Sequence, residues 1–269
     1  MRYFLLPLLG VLLSLTIQPQ AAMAFSATAY VPTTVDNLLG AYWRLGRMRG
    51  DSPAHIEQSL QVLECDIYSR FRNDEIELAK IRGAFLQKLQ LLSQSAPLHL
   101  QFTQPLLLDN YDFQRKAFVL SPTTRWNNVF RQRISGNTGY INKCTNINTV
   151  PDVPLNAIIR QAQPFSMVDI PMAEPLAQRF IQYTNALGID VSRGRPAYAV
   201  FYITLGSYLQ DVGASANGDP MAEFSGQIDR VEIYADAQKQ RPIYVFEPSK
   251  SLAAQVPAMT TEQSVGLGQ

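Results

Sequence analysis

At Pro97 the spacing of apolar residues changes from a helical period to a strand period, and this switch constrains the fold most. Before it, three stripes recur at helical spacing. Val35, Leu38, Leu39, Tyr42 and Leu45 form the first, with Thr33 or Thr34 as N-cap and Gly50 as its end. Ile56, Leu60, Leu63, Ile67 and Phe71 form the second, opened by Ser52 as N-cap and by Pro53 in the first turn. The third is Leu78, Ile81, Phe85, Leu89 and Leu92. It starts near Asn73, where Asp74, Glu75 and Glu77 suit the positive end of a helix.

After Pro97, Leu98, Leu100 and Phe102 alternate with His99, Gln101 and Thr103, as in a half-buried strand. Residues 106–108, 117–120, 157–162, 165–170, 198–205 and 241–246 read as further strands, and 224–228 with 231–234 as one long strand. The run 198–205 is apolar on both faces, which predicts a central position. The apolar phase shifts at Asp229, which predicts a β-bulge. A short helix carries Pro175 early, turns Leu176, Phe180, Tyr183 and Leu187 inward, and stops at Gly188. Residues 121–154, rich in Asn, Thr, Pro and Gly, predict a long irregular connection. The predicted class is α+β: an N-terminal layer of about three helices packed on a mostly antiparallel sheet, with a C-terminal hairpin.

The first 24 residues read differently. Met1 and Arg2 are followed by an apolar run to Ile17, then by Ala22-Met23-Ala24, the pattern of a secretory signal peptide cut after Ala24. The run is too short, and too broken by Pro7, for a membrane span of about 20 residues. The expected organisation is a signal peptide over 1–24, one domain over 25–247 (helical part 34–93, sheet part 97–247) and a disordered tail over 248–269. The mature chain is expected in the periplasm or secreted, with no transmembrane segment.

Removing Arg2 leaves 22 basic and 22 acidic residues. A neutral chain has no global field to gather nucleic acid. Cys65 and Cys144 make an even count in an oxidising compartment, which predicts a structural disulfide between the helical and sheet halves. With His55 and His99 they show neither C-x-x-C nor H-x-x-x-H spacing, so no metal site is predicted. Gly136-Asn137-Thr138-Gly139 lacks the lysine of a phosphate loop, and Asn217-Gly218-Asp219 reads as a turn. No cofactor is predicted. Two histidines and no G-x-S-x-G elbow leave little for nucleophilic catalysis. Glu64 with Asp66, and Asp109 with Asp112, are the carboxylate pairs a glycan or peptide hydrolase would need.

Arg125, Trp126, Phe130, Arg131 and Arg133 form a basic-aromatic group suited to an anionic glycan, a lipid headgroup or an acidic partner. Arg44, Arg47 and Arg49 read as a helix C-terminal feature.

Leu108-Asp109-Asn110-Tyr111-Asp112-Phe113, followed by Phe118-Val119-Leu120, resembles the Tyr-Asp-Phe…Phe-Pro-Leu motif of an uncharacterised family of exported bacterial proteins, a domain of unknown function. Val119 stands where that motif has proline. The stretch from Cys65-Asp66 to Arg82 is similar too. The resemblance implies no activity. On the residues themselves, Tyr111 and Phe113 are expected to plug the core and Asp112 to cap a turn. Three functions stay open: a non-enzymatic binder of an envelope protein or glycan, a carboxylate hydrolase, and a structural component of a secretion or surface apparatus.

Overall fold

A computed structural model describes residues 29–136, 153–188, 190–213 and 221–248. The expected signal peptide, Cys144, the 217–219 turn and the tail after Pro248 lie outside the described residues.

Local side-chain chemistry starts the N-terminal helices. Thr34 accepts a hydrogen bond from the Asn37 amide and opens α1 (Val35–Arg44); Ser52 does the same for α2 (Pro53–Leu63) through His55. The second stripe was expected to run through Phe71 as one helix. It is broken at Glu64, whose φ of −134° and ψ of 51° leave helical geometry, and the chain restarts as α3 (Cys65–Phe71). A one-residue break barely disturbs the period, so spacing alone does not reveal it. Cys65 turns inward as a result, and Ile67 is left exposed. Asp74 then caps α4 (Glu75–Ser95), which buries Leu78, Phe85 and Leu89 as predicted. The layer therefore holds four helices rather than three.

Among the described residues the strands form one nine-stranded sheet. They are β1 (Val31–Pro32), β2 (His99–Asp112), β3 (Ala117–Leu120), β4 (Trp126–Ser135), β5 (Asn156–Met167), β6 (Asp169–Pro171), β7 (Arg195–Val212), β8 (Met221–Tyr234) and β9 (Pro242–Phe246). Their order is β4-β5-β8-β7-β2-β3-β6, with β1 beside β2 and β9 beside β8. All pairs are antiparallel except β1 with β2 and β5 with β8. One more helix, α5 (Glu174–Ala186), packs Phe180 on Phe118 of β3 and stops at Gly188, whose φ is +65°. Leu187, expected inward, is exposed. The class is α+β.

Four strand assignments change. Residues 98–103 and 106–108 are one strand, β2; β5 runs through the gap expected between 162 and 165; and the run expected over 165–170 is divided between β5 and β6. Part of the supposed irregular connection is β4. Its alternation is hidden by register shifts between Trp126 and Val129 and between Val129 and Arg131, with Asn128 at a φ of +54°. The central position of 198–205 and the bulge at Asp229 are as predicted: β7 lies between β8 and β2, and the β7–β8 register skips Asp229.

The buried row of β7 is Ala197, Ala199, Phe201, Ile203 and Leu205. Phe201 stacks on Phe102 at 4.8 Å and meets Trp126 edge-on at 5.0 Å. Trp126 belongs to β4, three strands from β7, which a flat sheet would place about 14 Å away. The sheet therefore curls, and its inner face holds the core. Tyr42 of α1 lies parallel to Phe224 of β8 at 5.6 Å and donates a hydrogen bond to the Pro154 carbonyl. Both ends of the strand order are blunted, β4 by its bulges and β6 by its three-residue length. No helix among the described residues is long and apolar enough to cross a membrane.

Candidate functional site

Strand alternation places the other row of β7, which includes Tyr202 and Thr204, on the outer face of the sheet. There the bulge matters. The extra residue, Asp229, turns its carboxylate toward groups that alternation alone would not gather. Tyr30 donates to Oδ2 at 3.0 Å, Thr204 donates to the same oxygen at 2.6 Å, and Gln227 donates to Oδ1. His99 Nδ1 lies 2.9 Å from Thr204 Oγ1. Because the Thr204 proton is committed to Asp229, His99 donates from Nδ1 and its Nε2 is left as the acceptor when the ring is neutral.

A second carboxylate sits beside the first. Tyr202 and Tyr234 donate to Glu232 Oε2 at 2.8 and 2.6 Å. Arg230 lies 4.3 Å over the Tyr202 ring and 3.2 Å from Glu232 Oε1, an ion pair rather than an aligned hydrogen bond. Tyr30 stands edge-on to both His99 and Tyr202. Burial, reinforced by the adjacent carboxylates, pushes the Tyr30, Tyr202 and Tyr234 hydroxyls up from the ordinary phenol range. They stay protonated and act as donors at neutral pH.

This cluster borders a cleft of about 330 Å³. Strand β5 pairs with β8 only as far as Arg160 opposite Ser225. Beyond that point Gln161, Gln163 and Pro164 face Gln227 and Asp229 across the opening.

Farther along the same sheet lies a charged group. Glu223 of β8 is fully buried and receives Arg131 Nε at 2.8 Å, two bonds from Arg160 at 3.0 Å, and Gln210 Nε2 at 2.7 Å. Burial works against the Glu223 charge. The hydrogen bonds from Gln210 and Arg160 and the attraction of Arg131 and Arg160 outweigh it and hold the carboxyl below its usual range.

The structure does not assemble the predicted basic-aromatic group as one surface. Trp126 is buried, donating its indole N–H to Gln132. Phe130 is exposed, as are Arg125 and Arg133, while Arg131 is drawn to Glu223. Of the predicted acids, Glu64 pairs with Lys88 and Asp112 accepts the amides of Gln114 and Arg115 as the expected turn cap. Tyr111 packs on the core and bonds the Met172 carbonyl, but Phe113, expected beside it, is 69% exposed. Arg47 is not a free helix-end cation; it pairs with Asp211 at 2.7 Å. No cysteine among the described residues is a free thiol, and Cys144 lies outside them.

Sequence reasoning missed Asp229, Glu232, Tyr30, Tyr202, Thr204 and Tyr234 as a group. The one available signal was the phase shift at Asp229, read as backbone geometry alone.

Residues 51–183 match the family model described as Domain of unknown function (DUF4852). No curated protein and no solved structure matches the chain. The matched segment includes His99 and the β5 side of the cleft, whereas Tyr202, Thr204, Asp229 and Glu232 lie beyond it.

Proposed function

We propose that the chain is exported, cut after Ala24, and works in the periplasm or outside the cell as a soluble, non-enzymatic protein that binds a ligand or partner of the envelope. The contact site would be the β5–β8 cleft with the tyrosine-lined face beside it. The observation that carries this reading is the cleft wall itself, where Asp229 is pre-oriented by three donors. Pre-oriented polar groups beside an opening suit recognition, because little ordering remains to be done on binding. The glutamines and Asp229 at the lips suit a ligand rich in hydroxyl or amide groups, such as a glycan or a peptide backbone.

Two other readings have weaker support. A hydrolase would need a carboxyl poised to give or take a proton, whereas Asp229 and Glu232 already accept from two or three donors each, which suits holding a fixed geometry. An assembly component joined by strand addition would need a long open edge; both ends of the strand order are blunted, and the side strands β1 and β9 have two and five residues. We further infer a Cys65–Cys144 bridge and a polar C-terminal tail without fixed structure.

The test is crosslinking and capture by the tagged chain from intact envelope. The recovered chain is expected to begin at Phe25. The triple variant Gln161→Ala, Gln163→Ala, Asp229→Asn is expected to recover at least about tenfold less of whatever wild type recovers, equivalent to a loss of about 1.4 kcal/mol. A chain retained in the cytoplasm with residues 1–24 intact would overturn the export reading. Equal recovery by variant and wild type would overturn the site.

A further inference from the structure

Arg195 is the first residue of β7, opposite Leu108 in the register, and in phase with the buried row Ala197, Ala199 and Phe201. Its guanidinium is therefore drawn toward the interior. Nε and Nη1 are enclosed, and neither has a hydrogen-bond partner. An arginine cannot shed its proton, so the protein carries a cation with two dry donors. Such an arrangement is costly unless something supplies the missing acceptors. Arg47 is served by Asp211, Arg82 by Glu57 and Arg160 by Glu223, and Arg230, whose Nε also lacks a hydrogen bond, has at least its ion pair with Glu232.

The same residue lines a cavity of about 240 Å³ with Leu108, Asp109, Asn110, Val191, Ser192 and Gly194. That volume equals the liquid share of about eight waters, enough for a small organic ion. One wall is held in place by backbone geometry. Gly194 has a φ of +103°, and a side chain there would press on the Leu108 carbonyl at 3.2 Å. Asp190 fixes the adjoining 3₁₀ turn by accepting the Ser192 amide. Asp109 shares the cavity but does not pair with Arg195.

We propose that this cavity binds a small oxyanion, a carboxylate or a phosphate, with Arg195 as its anchor. A fork of parallel N–H donors matches the two oxygens of such a group. Asp109, Asn110 and the Ser192 hydroxyl favour an ion whose far end carries donors of its own, as an amino acid does. The site is separate from the β5–β8 cleft and does not depend on it.

The test is a titration of the isotopically labelled full chain with sodium glutamate and, separately, sodium phosphate, each at constant ionic strength against sodium chloride. Saturable shifts are expected for the amides of Asp109, Asn110, Ser192 and Arg195, with a dissociation constant of about 1 mM or tighter. Response to glutamate alone identifies a carboxylate with a donor end; response to phosphate alone identifies a phosphate. Arg195→Met should abolish the response. Arg195→Lys, which keeps the charge and loses the fork, should weaken it about tenfold and serves if the methionine variant does not fold. No saturable response to either probe, or an undiminished response in the variants, would overturn the proposal.

Discussion

Replacing Glu223 with glutamine is expected to lower the thermal midpoint by about 5–15 °C, the largest effect of any single polar change on the sheet. Arg131 of β4 lies directly opposite Arg160 of β5, a like-charge pair that is unfavourable across strands. The fully buried Glu223 is what makes it tolerable. Removing one partner of a buried ion pair costs about 3–5 kcal/mol. Both arginines are about half exposed and recover some hydration, which lowers the cost to about 2–4 kcal/mol. For a chain of this size each kcal/mol shifts the midpoint by about 2–4 °C.

The pH dependence has a definite sign. The folded-state carboxyl of Glu223 is held below its usual range, so its contribution is fully present above the unfolded value, about 4.3. It is lost as pH falls through the lower folded value. Wild type and Glu223→Gln should therefore differ most at neutral pH and converge in acid. Arg131→Ala, which leaves the Arg160 pair in place, should cost no more than about 1 kcal/mol. A Glu223→Gln midpoint within measurement error of wild type at pH 7 would show that the pair is incidental.

Cys65→Ser should be comparably damaging if the inferred bridge to Cys144 exists. The two cysteines lie 79 positions apart, and a loop of that size, left uncrosslinked, costs about 4.5 kcal/mol in the chain-entropy account. The expected drop is about 9–18 °C under oxidising conditions. Reductant should bring wild type down to the variant and leave the variant unmoved. Equal midpoints without reductant would remove the bridge. Trp126→Ala, by contrast, would report on the core, since its ring lies against Phe201 and Phe165.

What could be read from the residues was local. Thr34 and Ser52 cap their helices because an N-cap is decided within three residues, and the third helix, expected to start near Asn73, is capped one residue on by Asp74. Asp229 was legible as a bulge because the phase shift lies within one strand. Strand β4 was not, because two register shifts and Asn128 erase the alternation that would announce it. The break at Glu64 was hidden because apolar spacing continues across it. The outer-face cluster was beyond reach for a different reason. Tyr30 and Asp229 are 199 positions apart, and nothing in either neighbourhood refers to the other. Arg195 lies before the strand expected over 198–205, and only the register places it in phase with the buried row.

The strand order also sets a timetable. The centre of the sheet joins β2 to β7, and His99 meets Thr204 across 105 positions. A ribosome adding about 10 residues per second presents those two halves about 10 s apart. During that interval Leu100, Phe102 and Leu106 lack β7, the strand they pair with across the centre of the sheet. Pairings this distant close slowly and leave apolar strands open to holdase chaperones. A chain wired in this way stays unfinished until its last third is available. That delay keeps it threadable, the condition under which a polypeptide can be passed through a narrow pore before it folds.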